Sequence, residues 1–138
     1  MTLLVDTSVW SLALRRDGPT DAPEVRVLQE ALAGSDAVVT TGLILQELLQ
    51  GFNAPRGAAA LIERFRALPT IAPDRQDHIA AAEVRNACRR AGVQVGTIDA
   101  LLIQLCGRHE LTLLSTDKDF AHAAMQVPFR LWRPAGAA

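Results

Sequence analysis

The sequence predicts an α/β fold on a parallel sheet, and three observations lead there. Short apolar runs alternate with stretches of helical periodicity along the whole chain. Two of those runs, Leu3-Leu4-Val5 and Leu113-Leu114, are followed at once or within three residues by an aspartate (Asp6 and Asp117), as expected where strands deliver ligand-binding groups to one edge of a sheet. The 138 residues, 49% of them hydrophobic, suffice for one proper core and leave no room for a disordered chain.

In chain order, Thr2–Val5 reads as a short buried strand, followed by a helix carrying Val9, Trp10, Leu12 and Leu14 and broken at Asp17-Gly18-Pro19. Arg16–Pro23 reads as an exposed turn. Glu24–Leu32 is a helix ended by Gly34, Ala37–Thr40 a strand, and Gly42–Phe52 a helix stopped near Asn53-Ala54-Pro55. Gly57–Leu68 is helical up to Pro69, and Thr70–Ala72 a short strand. Asp74–Ala91 is a long Ala- and Arg-rich helix ended by Gly92. Thr97–Arg108 is a helix, Leu111–Leu114 a strand, Asp117–Ala124 a short helix and Phe129–Trp132 the last strand. Neither an internal repeat nor an interdomain linker interrupts this order.

Fourteen basic and 15 acidic residues give a formal charge of -1 and a pI near 6.3, which excludes a protein that coats nucleic acid by bulk charge. Contact with nucleic acid would have to come from a local patch. Thirteen of the basic residues are Arg, the better bidentate phosphate ligand. Cys88 and Cys106 lack metal-ligand or redox spacing and read as small core residues. Without a leader-like start or an 18-residue apolar run, the chain is expected to be cytoplasmic, with reduced thiols and no membrane contact.

Two mid-chain acids stand in costly places. On Thr97–Arg108, projection at about 100° per residue puts Leu102, Ile103 and Cys106 within about 60° of Asp99, with Gln104 and Arg108 opposite. On Gly42–Phe52, Glu47 projects between Leu43 and Ile44, at the edge of the apolar stripe and away from Gln46 and Gln50. Buried carboxylates need partners, and no Lys or Arg adjoins Asp6, Glu47 or Asp99 in sequence. If Asp6, Glu47, Asp99 and Asp117 meet beyond the strand ends, each pair about 4 Å apart repels by roughly 4 kcal/mol at an effective dielectric near 20. An all-oxygen donor set of that kind suits Mg²⁺ or Mn²⁺ rather than zinc. Each acid also has a plain structural explanation. Asp6 and Asp117 fit helix N-caps worth about 1 kcal/mol each, Asp99 fits the positive end of a helix, Thr116 with Asp119 resembles a loose capping pair, and Glu47 fits a side chain reaching out to water. Four separate explanations account less well for two acids that face inward.

Val5-Asp6-Thr7-Ser8-Val9-Trp10, Gln46-Glu47-Leu48, Gly96-Thr97-Ile98-Asp99-Ala100-Leu101-Leu102-Ile103 and Ser115-Thr116-Asp117-Lys118-Asp119-Phe120 together resemble PIN-domain ribonucleases, and above all the toxins of VapBC-type toxin–antitoxin pairs. The resemblance runs from the first strand to the last. It implies one PIN-like domain over residues 1–138, a central parallel sheet flanked by helices on both faces, and an acidic pocket binding Mg²⁺ or Mn²⁺. Asp6, Glu47, Asp99 and Asp117 match the family's acids, and Asp119 matches a further acid of many members. Thr7, Ser8 and Ser115 match the small hydroxyl residues around them. Gln104-Leu105-Cys106 departs from the small alanines more usual there, which leaves the packing of that helix open.

The implied activity is metal-assisted hydrolysis of RNA, with a VapB-like antitoxin as partner. The apolar helices suit a homodimer, and a higher assembly is expected on antitoxin binding. In this scheme Asp6 and Asp99 are the principal metal ligands, Asp117 and Asp119 complete the site, and Glu47 binds through water or serves as general base. Arg15, Arg16, Arg56 and Arg64 are candidates for RNA contact, while Arg85, Arg89 and Arg90 look like a solvated helix surface. His78, His109 and His122 share no ligand spacing. Trp10 and Trp132 read as core or interface anchors, Trp10 standing where an antitoxin peptide would pack. Rival readings are a non-toxin housekeeping PIN nuclease, a metal-stabilised module that binds RNA or a partner without cutting, and an aspartyl-phosphate hydrolase. The last wants an acid where Ser8 stands.

Overall fold

The computed structural model describes residues 1–15, 21–51 and 55–136. Its elements are β1 (Thr2–Val5), α1 (Thr7–Ala13), α2 (Pro23–Leu32), β2 (Ala37–Thr41), α3 (Gly42–Gln50), α4 (Pro55–Arg66), β3 (Thr70–Ile71), α5 (Arg75–Arg90), α6 (Thr97–His109), β4 (Thr112–Leu114), α7 (Asp119–Ala124) and β5 (Arg130–Leu131). The five strands form one sheet in the order β3-β2-β1-β4-β5, and every neighbouring pair is parallel.

Successive side chains on a strand point to opposite faces. Leu3, Leu4 and Val5 are all fully buried, as are Leu113 and Leu114, so both faces of the sheet centre are covered. That explains why these strands are continuous apolar runs. From β1 the chain moves outward to β2 and β3 on one side, and returns through α5 and α6 to place β4 on the other. The β1/β4 seam is therefore where strand order reverses, and the ends of both strands open at one crevice. A backbone hydrogen bond from Asp6 N to the Leu114 carbonyl (2.9 Å) closes the seam at that edge.

Most expected boundaries differ from those observed by one or two residues. The helix expected to start at Asp117 starts instead at Asp119, with Lys118 as its N-cap, because Asp117 is engaged in the preceding turn. The helix expected to reach Phe52 ends at Gln50, and Phe52 lies outside the described residues. The predicted turn at 16–23 falls largely on residues 16–20, which are also outside them. Asp74 caps α5 through a reciprocal capping box with Asp77. Trp10 is fully buried and stacks at a tilt on Phe65, with ring centroids 4.8 Å apart. Cys88 and Cys106 are buried free thiols, and burial pushes the Cys106 thiol up to about 12, as befits core residues. Among the described residues no helix is long and apolar enough to cross a membrane.

Candidate functional site

Asp6 follows β1 directly and is 7% exposed. Although it occupies the N-cap position of α1, its side chain makes no capping bond, so the structural explanation as a cap fails. Its Oδ2 instead accepts hydrogen bonds from Ser8 Oγ and Ser115 Oγ, both at 2.8 Å. The two hydroxyls lie 3.3 Å apart. Ser8 Oγ accepts from Thr116 N (3.1 Å), and Ser115 Oγ from Asp117 N (3.0 Å). Residues more than a hundred positions apart thus lock into one frame across the β1/β4 seam. Oδ1 of Asp6 takes no part in it.

Glu47 stands on α3, and its Oε1 accepts from Thr7 Oγ1 at 3.1 Å. That bond holds Glu47 over the start of α1, half-buried rather than reaching into solvent. Asp117 is exposed and folds its Oδ1 back onto Asp119 N (2.9 Å), so Asp117, rather than Thr116, orders the turn into α7. Asp119 is exposed in the first turn of that helix.

Asp99 lies in the first turn of α6, the end of a helix dipole that favours an anion. Its carboxyl is nevertheless pushed up to about 6, first by burial and then by the charges of Asp6, Asp117, Glu47 and Asp119. All five predicted acids therefore share one neighbourhood centred on Asp99. Among the described residues no three His, Cys, Asp or Glu side chains are drawn together into a finished ligand set. Each of the other four acids is near enough to act on Asp99, with Asp6 held by serines and Glu47 by Thr7. Oxygen donors of this kind, repelling one another around a desolvated carboxyl, fit a hard divalent cation.

The other candidates are dispersed. His78, His109 and His122 are exposed on α5, α6 and α7. Arg64 lines a cleft of about 340 Å³ with Trp10, Leu14 and Leu28. Arg85 Nε donates to the Val95 carbonyl (3.0 Å), Arg89 bonds Asn86, and Arg90 is exposed. Arg15 is exposed at the end of α1. Arg16 and the Arg56 side chain lie outside the described residues. Trp132 is half-buried and extends the β5 edge through Trp132 N to the Leu113 carbonyl (2.9 Å).

Sequence reasoning missed Asp77, a carboxylate on α5 that is 1% exposed. The signal was available. Projection puts Asp77 within about 40° of Ala81, Val84 and Cys88, on the apolar stripe of its helix. Asp77 also explains Gln104: Gln104 Nε2 donates to Asp77 Oδ1 at 3.4 Å, and Arg108 pairs with Asp77 Oδ2.

A parallel sheet whose strand order reverses between β1 and β4, with acids at the carboxyl ends of those strands, places the chain among α/β proteins that bind ligands at that edge. Residues 3–125 match the PIN domain family model, and the chain belongs to that family. It is 34% identical over 120 residues to VapC ribonuclease Mb1587 of Mycobacterium bovis, covering 86% of this chain and 88% of the relative. It is 30% identical over 118 residues to ribonuclease VapC23 of Mycobacterium tuberculosis, covering 83% and 90%. Among solved structures, VapBC2 from Rickettsia felis bound to a promoter DNA fragment superposes with a TM-score of 0.74 at 17% identity, over 96% of this chain and 98% of the other. Mycobacterium tuberculosis VapC20, a sarcin-ricin loop cleaving toxin, superposes at 0.70 and 19% identity, over 96% and 99%. At those identities the structures speak for the fold.

Proposed function

We propose that this chain is a metal-dependent endoribonuclease, the toxin of a toxin–antitoxin pair, acting as one nuclease domain over residues 1–138. The observation that carries the reading is Asp99, whose carboxyl is raised by burial and by four converging acids. Relatives named as VapC ribonucleases support RNA as the substrate. Asp6, Asp99, Asp117 and Asp119 would hold Mg²⁺ or Mn²⁺, with Glu47 at the rim. When bound, the cation supplies charge neutralisation at the phosphate and a water of lowered pKa.

The chain's own residues do the rest. Ser8 and Ser115 both donate to Oδ2 of Asp6 and fix that carboxylate, as supporting groups orient metal ligands. Glu47, oriented by Thr7, is placed to accept a proton from the attacking water. A VapB-like antitoxin is the expected partner, because solved relatives in this fold are VapBC complexes. A homodimer, and a larger assembly with antitoxin, follow the same reading. Purified protein is expected to cut RNA with Mg²⁺ or Mn²⁺ and to stop with EDTA. Asp6→Asn and Asp99→Asn are each expected to lose at least about a hundredfold in cleavage with the fold intact by circular dichroism. Unchanged cleavage in either variant would sink the scheme. RNA binding without cleavage by the wild type would establish the non-cutting module.

A further inference from the structure

Helix α6 delivers Asp99 to the acid cluster, yet its apolar pattern does little to set its rotation. Measured from Asp99 at about 100° per residue, its buried apolar residues (Ala100, Leu101, Leu102, Ile103, Leu105 and Cys106) spread over an arc of roughly 260°. A narrow stripe fixes which way a helix faces, whereas an arc this wide lets several rotations bury similar area. The remaining arc holds Gln104 and Arg108, about 140° and 180° from Asp99. Both reach the same buried acid on α5. Asp77 Oδ1 accepts from Gln104, and Oδ2 pairs with Arg108 and accepts from Asp74 N at 2.9 Å. Arg108 also pairs with Asp74 at 3.1 Å.

This network is directional where the apolar contact is not. Turning α6 by one residue would swing Arg108 and Gln104 away from Asp77 and strand a buried carboxylate without its partners. The same turn would carry Asp99 about 100° off the cluster. We propose that Asp77, Gln104 and Arg108 form a rotational pin for α6, acting as positioning residues that fix the face from which Asp99 enters an acid cluster they do not touch. The inference rests on the nuclease reading only for its consequence in metal binding; the orientation of α6 is a separate property.

The test replaces the pin with apolar groups in the full-length protein: Asp77→Leu/Gln104→Leu/Arg108→Met. Only Asp77 of the network is buried, and it also accepts the capping bond from Asp74 N, so the exchange is expected to lower Tm modestly while the protein still folds. The metal-free variant is expected to show broadened or doubled amide resonances confined to α6. Its Mn²⁺ affinity, read by electron paramagnetic resonance without RNA, is expected to weaken about tenfold or more, with kcat falling in parallel and KM within about twofold. A single sharp set of α6 resonances with wild-type Mn²⁺ affinity would overturn the pin. If the triple variant fails to fold, Arg108→Lys carries the test, because it keeps the charge but loses the planar fork. It is expected to show the same effects in weaker form, and its full equivalence to wild type in spectrum and Mn²⁺ affinity would count against the pin. Wild-type protein that binds no Mn²⁺ would instead overturn the nuclease reading, leaving the α6 spectra to decide the pin.

Discussion

Asp6 is oriented by two hydroxyls from opposite ends of the chain, Ser8 and Ser115, both on the same carboxylate oxygen. Ser115 has the larger role because it also accepts from Asp117 N and so ties two acids together. Ser115→Ala is expected to weaken Mn²⁺ binding and RNA cleavage about 10- to 100-fold, the usual effect of removing a group that orients a ligand. Titration calorimetry and a cleavage assay would read it, and a loss confined to Tm would make Ser115 structural only. Asp99 and Asp77 contribute to stability in opposite pH windows. Asp99 is raised to about 6 in the fold from an ordinary 3.8, so its contribution is fully present below about 3.8 and is lost as pH rises through about 6. Burial alone would raise Asp77, but the Asp74 N–H, Gln104 and Arg108 outweigh it and hold its carboxyl low. Its contribution is present above 3.8 and lost as pH falls through its depressed value. In EDTA, Tm is expected to decline between about pH 4 and pH 6 in the wild type, and this slope is expected to vanish in Asp99→Asn. Retention of the slope in that variant would assign it to another group.

At the scale of elements, the sequence was informative where one physical rule dominated. Buried parallel strands need apolar residues on both faces, so Leu3–Val5 and Leu113–Leu114 were legible as strands. Asp99 was legible because one helical projection put it among Leu102, Ile103 and Cys106. Asp6 was only half legible: its position after a strand fits both a cap and a ligand, and its contact with Ser115 is one that no local pattern can reveal. Asp77 was hidden by the Ala- and Arg-rich composition of α5, although the stripe through Ala81, Val84 and Cys88 held the clue. Glu47 needed Thr7, 40 residues away. Helix α6 carries one further mark at its end, where Glu110 sits in the left-handed region at φ 54° and ψ 46° as the C-cap. An L-residue there costs roughly 1 kcal/mol that glycine avoids. Glu110→Gly is expected to raise stability by up to about 1 kcal/mol in urea unfolding with activity unchanged. A destabilised variant would show that glycine's greater unfolded-state freedom outweighs the relief of strain.

For the molecule as a whole, the sheet and the acids pull against each other. Strand order β3-β2-β1-β4-β5 brings β1 and β4 together, and so forces Asp6 and Asp117 toward the region that α3 and α6 supply with Glu47 and Asp99. The apolar sheet centre overcomes that repulsion, and Asp99, raised first by burial and then by the neighbouring acids, registers it in part. On the proposed reading, a divalent cation bound only by the folded chain would relieve the repulsion and stabilise by mass action, about 2.7 kcal/mol at a hundred times its dissociation constant. Thermal unfolding in increasing Mn²⁺ is therefore expected to show Tm climbing with the logarithm of concentration once the site fills, and falling back on adding EDTA. Asp99→Asn removes both the like charge and a proposed ligand. It is expected to start from a higher metal-free Tm at pH 7 and to rise much less with Mn²⁺, so that the two curves cross. Parallel curves would mean that the cation binds elsewhere, and a flat wild-type curve would mean that the acids keep their repulsion uncompensated.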